Sequence, residues 1–97
     1  MPKEKRKKSK YQSLKINNKR YYFYKITWAD ILGDSGHANM EEFNKMQCAV
    51  MISYGYIFEK TKKHLKTFAS YDSKEESFSD RNVFPVGCIV KLEKINL

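Results

Sequence analysis

The sequence predicts a mainly β domain of the α+β kind, a small and strongly bent antiparallel sheet or SH3-like or Sm-like barrel of four or five strands with one short helix. Three observations lead there. The run Cys48 to Phe58, CAVMISYGYIF, is long, apolar and rich in residues that favour a pleated surface. A second run, Tyr21 to Ile31, alternates with period two. No segment between strands has the length and periodicity of a crossover helix, which excludes a parallel βαβ arrangement.

Taken in order, residues 1 to 18 show no apolar periodicity and a dense run of like charge, so they read as a flexible basic arm that precedes a domain over 19 to 97. Tyr11, Leu14 and Ile16 are its candidate anchors to that domain. In the strand that follows, Tyr22, Tyr24, Ile26 and Trp28 share one face, and Phe23, Lys25, Thr27 and Ala29 the other. Gly33 to Asn39, GDSGHAN, is loop chemistry. Asn39 with Glu42 matches a capping box, and Met40, Phe43 and Met46 then line one side of a short helix expected to cover an open end of the sheet.

In the central run, Cys48, Val50, Ile52, Tyr54, Tyr56 and Phe58 fall on one face, which is expected to be buried. The opposite face is smaller, and Gly55 marks a close approach of another backbone. Glu59 to Lys63 reads as a polar hairpin turn without the Asn-Gly pair that such turns favour. A third strand is expected over His64 to Tyr71, an exposed loop over Asp72 to Asn82, and a last strand from about Cys88 to Ile95 after a break at Pro85 and Gly87. Phe78, inside the acidic loop, must tuck back or meet a partner.

The net charge of +8 is not spread evenly. Residues 1 to 20 hold nine Lys or Arg against Glu4, and residues 21 to 97 hold ten bases and ten acids. The surplus therefore sits on the arm, and any long-range attraction to nucleic acid, anionic lipid or an acidic protein is expected to come from there. Two cysteines without metal-ligand or disulfide-framework spacing read as reduced, buried small hydrophobes, in keeping with a cytoplasmic protein. No stretch is long and apolar enough for membrane insertion.

Landmarks along the chain resemble a set of small tailed-phage accessory proteins of unassigned function. They are Ile26-Thr27-Trp28-Ala29-Asp30, Glu41-Glu42-Phe43, Ser53-Tyr54-Gly55-Tyr56-Ile57, Ala69-Ser70-Tyr71-Asp72 and Phe84-Pro85-Val86-Gly87-Cys88-Ile89. The resemblance covers roughly residues 22 to 95. It implies a viral setting in the host cytoplasm and a role in binding host factors, nucleic acid or the nucleotide signals of bacterial immunity.

Candidate functional residues group into three sets. The arm supplies Lys3, Lys5, Arg6, Lys7, Lys8 and Lys10, whose charges suit the counterion release that drives polynucleotide binding. Lys19 and Arg20 run directly into Tyr21 and Phe23, aromatics expected to be exposed for stacking bases, whereas Tyr22, Tyr24 and Trp28 are expected to pack. Lys60, Lys62, Lys63 and Lys66 form a second cluster at the predicted hairpin, which reads either as a phosphate track or as a solvated turn. Gly33, Asp34, Ser35, Gly36 and His37 form a candidate ligand loop. They place Asp, Ser and His in one loop, but a catalytic triad needs groups converging from separate elements, so an enzyme is not the expectation. No cofactor or metal is implied. The leading expectation is a non-enzymatic protein binding nucleic acid or a nucleotide. The alternatives are an oligomeric, counter-defence protein that sequesters a nucleotide immune signal, and a structural or inhibitory protein that docks on a host or virion protein.

Overall fold

A computed structural model describes residues 10–97. Eight strands and one short helix follow in the order β1 (Ser13–Ile16), β2 (Lys19–Asp30), α1 (Met40–Asn44), β3 (Ala49–Lys60), β4 (His64–Phe68), β5 (Ser70–Asp72), β6 (Ser77–Ser79), β7 (Asn82–Pro85) and β8 (Ile89–Lys94). Six strands form an antiparallel sheet in which β1-β2-β3-β4-β7 are neighbours and β8 pairs with β2. β5 and β6 form a separate hairpin. The fold is mainly β, as the two alternating runs predict.

Both edges of the sheet supply one core. Leu65 on β4 and Phe84 on β7 pack against Ile26 on β2, together with Ile89 and Leu92 from β8 on the far side. Contact between positions so far apart in the strand order requires the sheet to curl, yet no ladder joins β7 to β8. Of the two expected forms, a strongly bent sheet or a closed barrel, the chain takes the open, bent sheet. A one-turn 3-10 segment, Val86–Cys88, links the two edges, and Pro85 ends β7 where the missing N–H interrupts no inner ladder.

The alternation of β3 is as expected, but its burial is inverted. The face carrying Ser53, Gly55 and Ile57 turns into the bowl, and the face carrying Val50, Ile52 and Tyr54 turns outward and is exposed. Curvature favours small groups inside. A Cβ on Gly55 would stand 3.3 Å from Thr67 Cβ and 3.4 Å from the Phe68 carbonyl, and Ser53 Oγ accepts a 3.0 Å hydrogen bond from Trp28 Nε1. The close backbone approach inferred at Gly55 is thus present.

Two β-bulges upset simple parity. In β8 the register shifts opposite Thr27 and Trp28, so Val90 is extruded while both Ile89 and Leu92 reach the core. Strict alternation would have put those two side chains on opposite faces. In β3 the register shifts between Ile57 and Glu59, which leaves Phe58 without a partner across on β4; its ring keeps the side of Tyr56, opposite Ile57, and meets Tyr21, Phe68 and Phe78. There the β5–β6 hairpin folds back from what was expected to be a loop. It covers a second core of Ile16, Tyr21 and Phe68 with the ring of Phe78, which tucks back as anticipated.

Further corrections concern the chain's start and its long excursion. The arm does not extend to residue 18. Asn17 and Asn18, at φ 49° and 70°, form a tight turn whose left-handed conformation asparagine tolerates, and Ser13–Ile16 pairs with Lys19–Tyr22 across it. Tyr11 bridges to Asn96, and Leu97 N–H donates to the Lys10 carbonyl, which clips the described ends together. The predicted capping box at α1 is present in both directions, yet no residue of α1 is buried, so among the described residues the helix does not cover an open end of the sheet. Cys48 is exposed and Cys88 half-buried, against the expectation of two buried thiols.

Candidate nucleic-acid interface

The aromatic core under the β5–β6 hairpin continues to the surface as a cleft of ≈ 640 Å³. Phe58, Phe68, Phe78 and Val83 give it an apolar floor and wall, and Lys66, Arg81 and Asn82 bring polar groups to it. Phe58 is 38% exposed because its backbone is bulged out of the ladder, while its other side lies parallel to Tyr21 at 6.0 Å between centroids. Lys19 Nζ lies 5.2 Å from the centroid of that same Tyr21 ring. Lys19, Tyr21, Phe58 and Lys66 thus form a continuous series of cation, ring, ring and cation along one side of the sheet. Lys66 reaches Glu59 at 3.6 Å, but with both partners about half exposed that pair is worth little and leaves the ammonium able to turn to another anion.

The clipped chain ends form a second basic and aromatic cluster. Lys94 Nζ stands 4.3 Å over Tyr22 and 5.0 Å over Tyr11, and Lys10 Nζ stands 5.7 Å from Tyr11. Successive residues of a strand point to opposite faces. Tyr21 and Tyr22 therefore assign the cleft and the end cluster to opposite sides of β2.

The residues singled out from the sequence are divided between these places. Lys19 and Lys66 belong to the cleft, and Lys10 to the end cluster. Lys3, Lys5, Arg6, Lys7 and Lys8 lie outside the described residues. Arg20 is exposed beside β1, where its guanidinium donates to Ser13 Oγ at 2.9 Å. Lys60, Lys62 and Lys63 are exposed on the β3–β4 turn. Thr61 organises that turn in place of an Asn-Gly pair, its hydroxyl oxygen accepting from the backbone N–H groups of Lys63 and His64.

Tyr21 is corrected as a stacking residue, because its ring is buried edge-on to Phe68 and carries no free face. Phe23 is half-buried, with Tyr54 and Tyr56 beside it. The sequence reading missed Phe58, which its parity assigned to the core, and Arg81 and Asn82, which it assigned to a loop. Only the bulge at Phe58 and the folded-back hairpin place them together.

Gly33 to His37 are all exposed, and neither this cleft nor a smaller one of ≈ 390 Å³ between β1 and the β5–β6 hairpin is lined by them. Asp34 is occupied in its own turn, where it accepts from the Gly36 N–H at 2.8 Å. Beside the smaller cleft, Tyr71 has its phenol held above the ordinary range, first by desolvation and then by the carboxylate of Glu76. Among the described residues no His, Cys, Asp and Glu side chains gather in a group able to hold a metal ion, and no helix is long and apolar enough to cross a membrane. No protein-family model, curated protein or solved structure matches the chain.

Proposed function

We propose that this chain is a non-enzymatic binding protein for single-stranded nucleic acid, a phage-type accessory protein in the setting its sequence landmarks imply. The observation that carries the reading is the half-exposed Phe58 ring in a cleft bordered by Lys66, Arg81 and Asn82, with Lys19 beyond Tyr21. An exposed ring offers a base a stacking face without regard to sequence, and flanking cations meet the phosphates on either side. The cleft's size is that of a pocket for a nucleotide-sized ligand. The arm, with five Lys or Arg against Glu4 over residues 1 to 9, adds sequence-independent attraction to the same polyanion.

Phe58→Ala tests this directly, since the loss of one stacking platform costs about 1–3 kcal/mol per base. Fluorescence anisotropy with a labelled short single-stranded oligonucleotide is expected to show affinity reduced by about 5- to 150-fold, while the circular dichroism spectrum stays folded. Unchanged affinity in a folded Phe58→Ala protein would remove the cleft from the account. The apolar residues exposed around α1 are a separate observation and lead to the next inference.

A further inference from the structure

The far end of the β2–β3 ladder carries the most exposed apolar surface of the described chain. Ile31 is 87% exposed, Met40 81% and Phe43 67%, all on the excursion between β2 and β3. Val50 at 68%, Ile52 at 54% and Tyr54 at 55% line the outward face of β3 beside it. The rings of Phe43 and Tyr54 alone, at roughly 150–250 Å² each, leave roughly 180–300 Å² open, and Ile31, Met40, Val50 and Ile52 add to it. A standard interface takes roughly 800 Å² from each partner, and the largest apolar patch of an ordinary monomer is roughly 300–600 Å².

The charges select the occupant. From Asp30 to Cys48 the chain holds Asp30, Asp34, Glu41 and Glu42 against Lys45 alone, a net of −3. The outward face of the β2–β3 ladder holds Lys25, paired across from Tyr54, and on β8 beside it Lys91 stands opposite Thr27 and Glu93 opposite Lys25, so that face carries two cations against one carboxylate. An acidic, apolar excursion and an apolar face with a cation are complementary, and one chain carries both.

We infer that a second copy of this chain covers this surface. The excursion of each protomer, led by Met40 and Phe43, lies over the Val50, Ile52 and Tyr54 face of the other in a two-fold exchange that makes the same contact twice. Covering Phe43 also gives α1 an apolar partner that it does not have among the described residues. The inference is independent of the nucleic-acid reading, because none of these residues lines the cleft.

Analytical ultracentrifugation of nuclease-treated protein in about 0.5 M salt, where polynucleotide contacts are screened, tests it. The wild type is expected at twice the 11.5 kDa chain mass. Phe43→Glu and Ile52→Lys are each expected to weaken self-association at least 100-fold while keeping the thermal transition, since both side chains are exposed in the single chain. Mixing the two variants is expected to restore the dimer, as one native contact survives and the altered pair carries opposite charges. A monomeric wild type would overturn the inference. So would a dimer lost in Phe43→Glu but kept in Ile52→Lys, or two folded monomeric variants that stay monomeric when mixed.

Discussion

Reversing Lys66 and Arg81 together to glutamate is expected to lower affinity for a single-stranded oligonucleotide by about 100-fold at about 50 mM salt, the largest functional effect the geometry implies. Each cation that neutralises a phosphate contributes about 0.7 to the slope of log affinity against log salt on a single strand. The double variant should flatten that slope by about 1.4. Lys62→Glu with Lys63→Glu, the same charge change on the exposed β3–β4 turn, should act more weakly, since those ammonium groups stand outside the cleft. Titrations at four salt concentrations separate the two cases. Equal losses in both double variants would mean that net charge alone, and no particular site, carries the binding.

The second large effect is on stability. Phe68 is 1% exposed and makes ring contacts with Tyr21, Tyr56, Phe58 and Phe78 at 4.8 to 6.4 Å, so it ties β4 to β2, β3 and the folded-back hairpin at once. Phe68→Ala is expected to cost about 3–5 kcal/mol, from lost transfer free energy and the cavity left behind. In a domain of this size about 1 kcal/mol moves the thermal midpoint by roughly 4–8 °C, so the midpoint should fall by roughly 12–40 °C. Phe43→Ala is the control. That ring is exposed within the chain and should change the stability of the single chain by about 0.5 kcal/mol or less.

The strands were legible because period-two alternation in Tyr21 to Ile31 and Cys48 to Phe58 survives any tertiary arrangement. The capping box at Asn39 and Glu42 was legible for a similar reason, being a contact among neighbours in sequence. What could not be read is which face of β3 turns inward. Hydrophobicity points to the Val50, Ile52 and Tyr54 side, but a curled sheet places Gly55 and Ser53 inside, where a larger side chain would meet Thr67. The candidate site was only partly legible, since a bulge shifts parity by one residue and leaves no mark of its own in composition. Tyr21 reads as exposed and is buried because Phe68 and the Phe78 ring of the folded-back hairpin pack on it, while Phe58 reads as core and lies half open beside the register shift.

The neutral charge of residues 21 to 97 likewise concealed a division visible only after folding. Lys66 and Arg81 border the cleft, whereas Asp30, Asp34, Glu41 and Glu42 fall on or beside the excursion. In the proposed reading the arm is then not the sole source of attraction for a polyanion. That division also explains how one small sheet could meet nucleic acid on one region and a second copy of itself on another.

The proposed placement of single-stranded nucleic acid in the cleft beside Phe58 can be mapped through backbone amide shifts by nuclear magnetic resonance during titration with a short oligonucleotide. The largest changes are expected at Lys19 to Tyr21, Phe58, Lys66 and Ser77 to Val83. Changes confined to the excursion from Ile31 to Met46 or to the arm, with the cleft silent, would contradict that placement.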